Sequence, residues 1–317
     1  MDILFIALGV LGFAALVLLV GAYYAYRRAF YSKRRERTPY FGLEKGGFRE
    51  YKEKIYSLID GIIDLPYESV EITSRDGLKL CAKYYHRRDG APLEIHCHGY
   101  KSLSLRDFAG GVGDSAKRGN NLLLIDQRAH GDSEGKVISF GINERFDLLE
   151  WIKYGIERFG RDVDIFLVGV SMGGATVLMA AGEEMPENVR CIVADCPYSS
   201  PLEIIVKVGA ETGFPSSLAA PLVRLGARLF GHFSVTEASA VEAVRRAKVP
   251  ILLIHGDADT FVPYEMSVRI AKENPKIRFE TFGGADHGLS YFAETDRYLG
   301  CVLELMNSTT RVKKKDV

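Results

Sequence analysis

Residues 165–173 read Ile-Phe-Leu-Val-Gly-Val-Ser-Met-Gly, and this stretch decides the fold class of the 317-residue chain. It begins with a short apolar run that predicts a strand and ends in the pattern Gly-x-Ser-x-Gly, centred on Ser171. A helical pattern follows directly, over residues 172–184. A serine between a buried strand and a helix sits on a sharp turn that holds its Oγ above the sheet. We therefore expect Ser171 to act as a nucleophile.

A serine hydroxyl is a weak nucleophile at neutral pH and needs a base that a third group holds in place. Two downstream loops supply such groups, each after a short apolar run. The loop 255–263 contains Asp257 and Asp259, and the loop 283–288 contains His287. We expect His287 to accept the proton of Ser171 and one of the two aspartates to fix the histidine tautomer.

Strand and helix patterns alternate on both sides of this centre. An Asp-Gly turn joins two runs that predict an antiparallel pair, 68–73 and 78–85. Later short runs, apolar on both faces, predict buried parallel strands: 93–97, 121–125, 165–170, 191–194, 251–254 and 277–282. Helical patterns cover 105–118, 143–159, 172–184, 264–272 and 291–306. The alternation predicts an α/β fold with a mostly parallel sheet and helices on both faces.

One interval breaks this alternation. Between residues 197 and 248 the sequence has helical stretches at 202–210, 217–230 and 235–247 and no predicted strand. An insertion of this size between core strands is typically functional, so we predict a helical lid over about 198–247. The apolar stripe of its middle stretch either lines a pocket or docks the helix on the body.

Over residues 67–306 the sequence resembles an α/β-hydrolase-fold serine hydrolase, and within that superfamily the Bem46-like group, which commonly carries an N-terminal membrane segment. The segments that carry the resemblance are 98–100 (His-Gly-Tyr), 126–133, 169–173, 194–199, 255–263 and 286–288. The resemblance implies a catalytic triad of Ser171, Asp259 and His287. It also implies an oxyanion hole formed by the backbone N–H groups of Tyr100 and Met172.

The N-terminus differs from the rest of the chain. Residues 3–26 carry no charge and would extend about 36 Å as a helix, against ~30 Å for a hydrocarbon core. Tyrosines end this run and a basic cluster follows: Arg27, Arg28, Lys33, Arg34, Arg35 and Arg37. We predict a single-pass anchor at 1–30, a juxtamembrane segment at 31–66 and a basic tail at 307–317. The positive-inside rule places the catalytic domain on the cytoplasmic side, and the alternative is a cleaved signal peptide.

The juxtamembrane segment contains an amphipathic helical pattern at 48–63. Two interpretations are open for this helix. Its apolar face packs against the body, or it lies on the membrane surface, where the nearby basic cluster favours anionic headgroups.

Composition narrows the function classes. The 41 basic and 41 acidic side chains balance to a net charge of zero, which disfavours a nucleic-acid partner. The five cysteines form no Cys-x-x-Cys pair, so neither a disulfide framework nor a zinc site is indicated. His96 and His98 lack a third ligand at a suitable spacing. We therefore predict no metal and no cofactor.

The expected function is hydrolysis of a small-molecule or lipid-like carboxylic ester through an acyl-enzyme. Two alternatives remain at this point. One is a thioesterase or protein deacylase that acts on lipidated substrates, and the other is a non-catalytic α/β-hydrolase-like binding module. The sequence specifies no oligomeric state.

Overall fold

A computed structural model describes residues 2–33 and 37–311 of the chain. Within these residues eight strands form one sheet in the order β1-β2-β4-β3-β5-β6-β7-β8. The strands are β1 (Glu68–Thr73), β2 (Lys79–Tyr85), β3 (Leu93–Cys97), β4 (Asn121–Ile125), β5 (Ile165–Val170), β6 (Val189–Asp195), β7 (Ile251–Gly256) and β8 (Ile277–Phe282). Strand β2 is antiparallel to β1 and β4, and every other pair is parallel. The predicted α/β fold with a mostly parallel sheet is confirmed.

Twelve helices accompany the sheet in the described part of the chain. They are α1 (Asp2–Ala29), α2 (Phe48–Asp60), α3 (Ser104–Asp107), α4 (Ala109–Arg118), α5 (Glu144–Phe159), α6 (Met172–Ala180), α7 (Pro201–Glu211), α8 (Ser216–Phe230), α9 (Ala240–Val244), α10 (Tyr264–Lys272), α11 (Ser290–Ala293) and α12 (Thr295–Thr309).

Two apolar layers enclose the sheet. Successive side chains of a strand point to opposite faces, so β5 places Ile165 and Leu167 in one layer and Phe166 and Val168 in the other. Buried residues of α5, α6, α9 and α10 complete the first layer. The second layer takes its residues from α2, α4 and α12. Coverage on both faces explains why the central strands are apolar along their whole length.

Three predicted helices have different bounds in the structure. The predicted helix 105–118 is divided at Phe108, whose φ of −115° and ψ of 29° are not helical. The predicted helix 291–306 is divided at Glu294, and its second part continues to Thr309. Of the predicted stretch 235–247 only α9 is helical, because the Ser239 side chain accepts a hydrogen bond from the Glu242 N–H and caps a helix that starts at Ala240.

Helix α1 leaves the body at Gly21. Residues 3–20 are exposed, whereas Ala22, Tyr26 and Phe30 are buried against the body. The helix packs on α8, where a Cβ on Gly226 would lie 2.4 Å from the Ala22 carbonyl oxygen. Within the described residues α1 is the one helix long and apolar enough to cross a membrane. The apolar stripe of α8 therefore packs against α1, through contacts such as Leu222 on Gly21 and Phe230 on Tyr26.

The segment between α1 and β1 is built into the body. Tyr31 forms a bridge with Val137, and the Ser32 N–H donates to the Lys136 carbonyl at 2.8 Å. Leu43 is buried, as are Ile55 and Ile59 of α2. Helix α2 thus packs its apolar face on the second layer, the first of the two interpretations above. Two basic-cluster residues, Arg34 and Arg35, lie outside the described residues.

The C-terminal helix also extends further than predicted. Helix α12 continues to Thr309, so the predicted tail 307–317 begins inside it. The Arg311 N–H donates to Asp164 Oδ2 at 2.8 Å, which ties this residue to the body. Residues 312–317 lie outside the described residues.

Candidate active site

Ser171 stands on a strained turn between β5 and α6. Its φ of 55° and ψ of −115° place the backbone in a region that residues with side chains rarely adopt. The flanking glycines make the turn possible, since a Cβ on Gly173 would lie 1.8 Å from the Cys97 carbonyl oxygen and one on Gly169 would lie 2.2 Å from that of Gly173. The Ser171 N–H donates to the Asp195 carbonyl at 2.8 Å. These contacts hold the serine at the carboxyl end of the sheet.

His287 lies on the loop after β8 and contacts Ser171. Its Nε2 is 2.9 Å from Ser171 Oγ, and its Nδ1 is 2.7 Å from Asp259 Oδ2. A carboxylate accepts only, so the network assigns the proton to Nδ1 and leaves Nε2 to accept from the serine hydroxyl. The structure therefore brings the three predicted residues into one hydrogen-bonded chain.

Asp259 is held by four donors. Its Oδ1 accepts from the backbone N–H groups of Phe261 at 2.9 Å and Val262 at 2.7 Å. Its Oδ2 accepts from His287 and from His255 Nε2, which is 3.0 Å away. Burial opposes ionisation of this carboxyl, but the hydrogen bonds from His255 and His287 prevail and hold its pKa below the usual value. Asp259 is thus a fixed anion beside the imidazole.

The structure separates the two candidate aspartates. Asp257 is exposed and accepts a hydrogen bond from the Gly284 N–H at 2.6 Å, away from the imidazole. Sequence reasoning missed the part played by His255, whose Nδ1 accepts from the Ser267 hydroxyl at 2.6 Å while Nε2–H faces Asp259. The available signal was its position at the end of β7, four residues before Asp259.

The loop after β3 runs beside Ser171. The Gly99 N–H donates to Asp107 Oδ2 at 2.8 Å, and the Lys101 N–H donates to His130 Nε2 at 2.9 Å. These two bonds fix the peptides on either side of Tyr100. The Tyr100 hydroxyl donates to the Ala29 carbonyl at the end of α1, at 2.6 Å, and burial raises the pKa of this phenol. The end of α1 thereby positions the loop that carries one predicted oxyanion donor.

Met172, the other predicted donor, is the first residue of α6. The first N–H groups of a helix have no partner within the helix, so they are available to an anion placed at its N-terminus. Ser171 precedes this N–H directly in the chain.

A cavity of about 150 Å³ opens at Ser171. Its apolar wall comes largely from the N-terminal segment and from the loops around His287, and among the described residues no side chain of α8 lines it. Polar side chains at its edge are paired, since Arg106 Nη1 lies 2.8 Å from Asp107 Oδ1. The apolar side chains that line the cavity include Leu43, Phe48, Ile55, Val170, Phe261 and Phe292.

One group of side chains in the described residues has ligand atoms close enough to hold a metal ion. Cys196, Asp259 and His287 place a sulfur, an oxygen and a nitrogen within 4.8 Å of one another. Burial raises the pKa of the Cys196 thiol well above its usual value, which disfavours the thiolate that a metal would need. His96 and His98, which were not assigned to a metal from the sequence, have other partners: His96 Nε2 lies 3.0 Å from Glu94 Oε2, and His98 Nδ1 lies 2.8 Å from the Gly99 carbonyl oxygen.

Asp195, at the end of β6, is a buried acid next to this site. Burial raises its pKa to about 7, with a smaller contribution from the charge of Asp259. A raised pKa means that the folded state binds this proton more tightly than the unfolded state. Its contribution to the free energy of unfolding is therefore fully present below about pH 4 and is lost as the pH rises towards 7.

We expect Asp195→Asn to abolish the fall in the free energy of unfolding between pH 4 and pH 7, because the amide stays neutral. The free energy of unfolding of the variant, relative to that of the parent protein, should rise by on the order of 4 kcal/mol between pH 4 and pH 8. The figure follows from a folded-state pKa of about 7, which lies roughly three units above the ordinary value of the carboxyl. Denaturant unfolding in detergent at both pH values measures the difference. An equal difference in the free energy of unfolding between variant and parent at the two pH values would show that Asp195 does not titrate in this range.

Comparisons with known proteins agree with this architecture. Residues 95–216 match a family described as alpha/beta hydrolase fold. An esterase from Pyrococcus furiosus is 23% identical, with a TM-score of 0.62, over 78% of this chain and 93% of its own. Est1E from Butyrivibrio proteoclasticus, solved with ferulic acid bound, is 24% identical, with a TM-score of 0.59, over 76% of this chain and 98% of its own.

Relatives were also found by sequence, and they include the following two proteins. The uncharacterized protein YqkD of Bacillus subtilis is 28% identical over 193 residues, which is 60% of this chain. The thiohydrolase aneE of Aspergillus aculeatus is 31% identical over 137 residues, 41% of this chain and 42% of its own length. The match to YqkD spans 63% of that protein's length, so each of these two relatives shares only part of its length with this chain.

Proposed function

We propose that this chain, which has the α/β-hydrolase fold, is a membrane-anchored serine hydrolase that cleaves carboxylic esters through an acyl-enzyme. The observation that carries the proposal is the chain of hydrogen bonds from Ser171 Oγ to His287 at 2.9 Å and on to Asp259 at 2.7 Å. A hydroxyl, a base and an orienting carboxylate in this order form the arrangement that acyl transfer requires.

In the first half-reaction Ser171 Oγ attacks the ester carbonyl carbon while its proton passes to His287 Nε2. The carbonyl oxygen becomes an oxyanion, which the N–H groups of Tyr100 and Met172 bind, each donor contributing roughly 3 kcal/mol to the barrier reduction. Collapse of this intermediate breaks the ester C–O bond, and the imidazolium returns the proton to the leaving alkoxide. Asp259 stabilises the imidazolium throughout without taking its proton.

In the second half-reaction water replaces the alcohol. His287 Nε2 removes one proton from the water as its oxygen attacks the acyl carbon, and the second tetrahedral intermediate expels Ser171 Oγ. The proton on His287 returns to the serine oxygen. The products are a carboxylic acid and the free enzyme.

The cavity at Ser171 indicates the acyl group. Its volume of about 150 Å³ matches the room that a six-carbon group such as benzene occupies in a protein interior. Leu43, Phe48 and Phe292 form an uncharged, apolar wall of the cavity. We therefore propose a short to medium apolar acyl chain as the substrate portion bound here.

The membrane is proposed as the site of action. Residues 3–20 of α1 project from the body and are apolar, and basic residues begin in the last turn of the helix with Arg27 and Arg28, which favours a cytoplasmic body. The Tyr100 hydroxyl contacts the Ala29 carbonyl, so the active-site loop lies about 12 Å along the helix from Gly21, where the anchor leaves the body. A lipid-like ester would then reach Ser171 from the adjacent leaflet.

Replacing Phe48 with alanine is expected to change chain-length preference. The ring lines the cavity, so a hexanoyl chain loses its contact whereas an acetyl group does not reach it. The ratio of kcat/KM for p-nitrophenyl hexanoate to that for the acetate should fall by about 10-fold or more. Leu58→Ala is the matched control, because Leu58 lies on the same helix without lining the cavity. Equal losses on both esters would remove Phe48 from the acyl site.

A thioester substrate is the second candidate, favoured by the similarity to the Aspergillus thiohydrolase. The same three side chains would perform thioester cleavage, since only the leaving atom differs. Comparing a hexanoyl thioester with the oxygen ester at equal concentration decides between them. A much higher kcat/KM for the thioester, after allowance for its greater intrinsic reactivity, would replace the ester proposal.

A non-catalytic binding module is the third expectation to be tested. It predicts that neither ester is cleaved faster than in buffer. The intact hydrogen-bonded chain at Ser171 speaks against it, because loss of catalysis usually accompanies loss of one of these side chains.

A further inference from the structure

We propose that residues 212–222, the turn between α7 and α8 together with the first half of α8, lie in the same bilayer leaflet that α1 enters, so that the body has two membrane contacts. This inference rests on the membrane anchoring proposed above. The partner is the interfacial layer of a bilayer, and the segment 212–222 is called the hairpin tip here.

The first observation is the level at which α1 leaves the body. Residues 3–20 are exposed and would extend about 27 Å, close to the ~30 Å of a hydrocarbon core. From Ala22 onward every third or fourth residue is buried against the body. Tyr23 and Tyr24 are exposed just beyond the projecting part, at the position that interfacial tyrosines prefer. The membrane surface therefore lies close to residues 21–26.

The second observation is the direction of α8. Later residues of α8 contact later residues of α1. Leu222 contacts Gly21, Gly226 contacts Ala22, and the ring of Phe230 lies 5.8 Å from that of Tyr26. The two helices run in the same direction. The part of α8 before Leu222 therefore extends to the level of the projecting part of α1, which is the bilayer side.

The third observation is the composition of the hairpin tip. Residues 212–223 carry no charge, and within them Phe214 and Leu218 are exposed, the latter by 56%. Arg224 and Arg228 follow one turn apart and are exposed. Apolar side chains before the membrane level and arginines after it match the depth profile of an interfacial helix.

Helix α7, which leads into the hairpin tip, contacts a loop that lines the catalytic cavity. Lys207, in the last turns of α7, donates through Nζ to the carbonyls of Thr260 and Phe261 at 2.8 Å each. The ring of Phe261 lines the cavity and lies 5.1 Å from that of His287. Contact of the tip with lipid would place the cavity entrance at the membrane surface, where an acyl chain need not cross water.

The test uses the full chain reconstituted in phosphatidylcholine vesicles, with brominated acyl chains as the quencher. The chain has one tryptophan, Trp151, which is buried in the first core layer and supplies a constant background. Leu218→Trp and, separately, Phe214→Trp should show blue-shifted emission and loss of fluorescence in brominated vesicles. Leu303→Trp is the matched control, because Leu303 is a similarly exposed leucine, at 44%, on α12.

Leu11→Trp, in the projecting part of α1, separates failure of this inference from failure of the anchor. Quenching at residue 11 without quenching at residues 214 and 218 would overturn the inference and leave the anchor intact. Absence of quenching at residue 11 would overturn both. A blue shift at residue 218 without quenching would indicate contact with protein instead of lipid, and would also overturn it.

Discussion

Ser171→Ala is expected to lower kcat/KM for p-nitrophenyl hexanoate by about 10⁴-fold to 10⁶-fold, to a level set by the oxyanion donors and binding alone. The substitution removes the oxygen that is proposed to form the covalent bond, and no other described hydroxyl is hydrogen-bonded to His287 Nε2. The side chain makes few packing contacts that alanine lacks, so the fold should persist. Steady-state kinetics with far-UV circular dichroism checks both statements.

Ser308→Ala serves as the control, because this serine hydrogen-bonds within α12, away from the cavity. It should retain parental activity. Ester turnover by purified Ser171→Ala at the parental rate would mean that another residue is the nucleophile, and the proposed mechanism would fail.

Asp259→Asn is expected to lower kcat by about 10⁴-fold with little change in KM. The carboxylate fixes the proton on His287 Nδ1 and stabilises the imidazolium, and an amide NH₂ in its place would favour the opposite tautomer. The loss should therefore appear in the chemical step. Pre-steady-state acylation with a chromogenic ester measures that step directly.

Asp257→Asn is a matched control from the same loop. Its side chain bonds only to the Gly284 N–H among the described contacts, so kcat should stay within about twofold of the parent, as is usual for exposed substitutions. If Asp257→Asn lost activity and Asp259→Asn kept it, the orienting carboxylate would be misassigned.

The acidic limit of stability follows from the same carboxylate. The folded-state pKa of Asp259 lies below its usual value, so its contribution is present above about pH 4 and is lost as the pH falls through the folded pKa. Asp195, with a raised pKa, acts in the opposite sense between about pH 4 and 7. The two acids together favour maximal stability at mildly acidic pH.

Much of the sheet could be predicted because its strands are short apolar runs between turn residues. The predicted bounds of 165–170 and 277–282 are those of β5 and β8. The convergence of Ser171, Asp259 and His287 could also be predicted, since each follows a strand and the carboxyl ends of parallel strands meet at one edge of a sheet.

Contacts between distant helices could not be predicted in this way. Periodicity identifies the apolar face of α2 but not its partner, so the part of Phe48 and Ile55 in the cavity wall was missed. The close approach of α8 to α1 depends on the absence of a Cβ at Gly226. The sequence alone does not show that Gly226 faces Ala22, so this contact could not be predicted. The predicted helix bounds were wrong at Phe108 and Glu294. Each of these residues has non-helical backbone angles although it is neither a proline nor a glycine.

Covalent labelling by a fluorophosphonate tests the central claim most directly. The probe phosphonylates a serine only where a base activates the hydroxyl and donors bind the resulting oxyanion. Intact-mass and peptide mapping of the full chain in detergent should find one adduct per chain, on Ser171, and none in Asp259→Asn within the same exposure time. An unlabelled parent protein, or an adduct on another serine, would contradict the proposed active site.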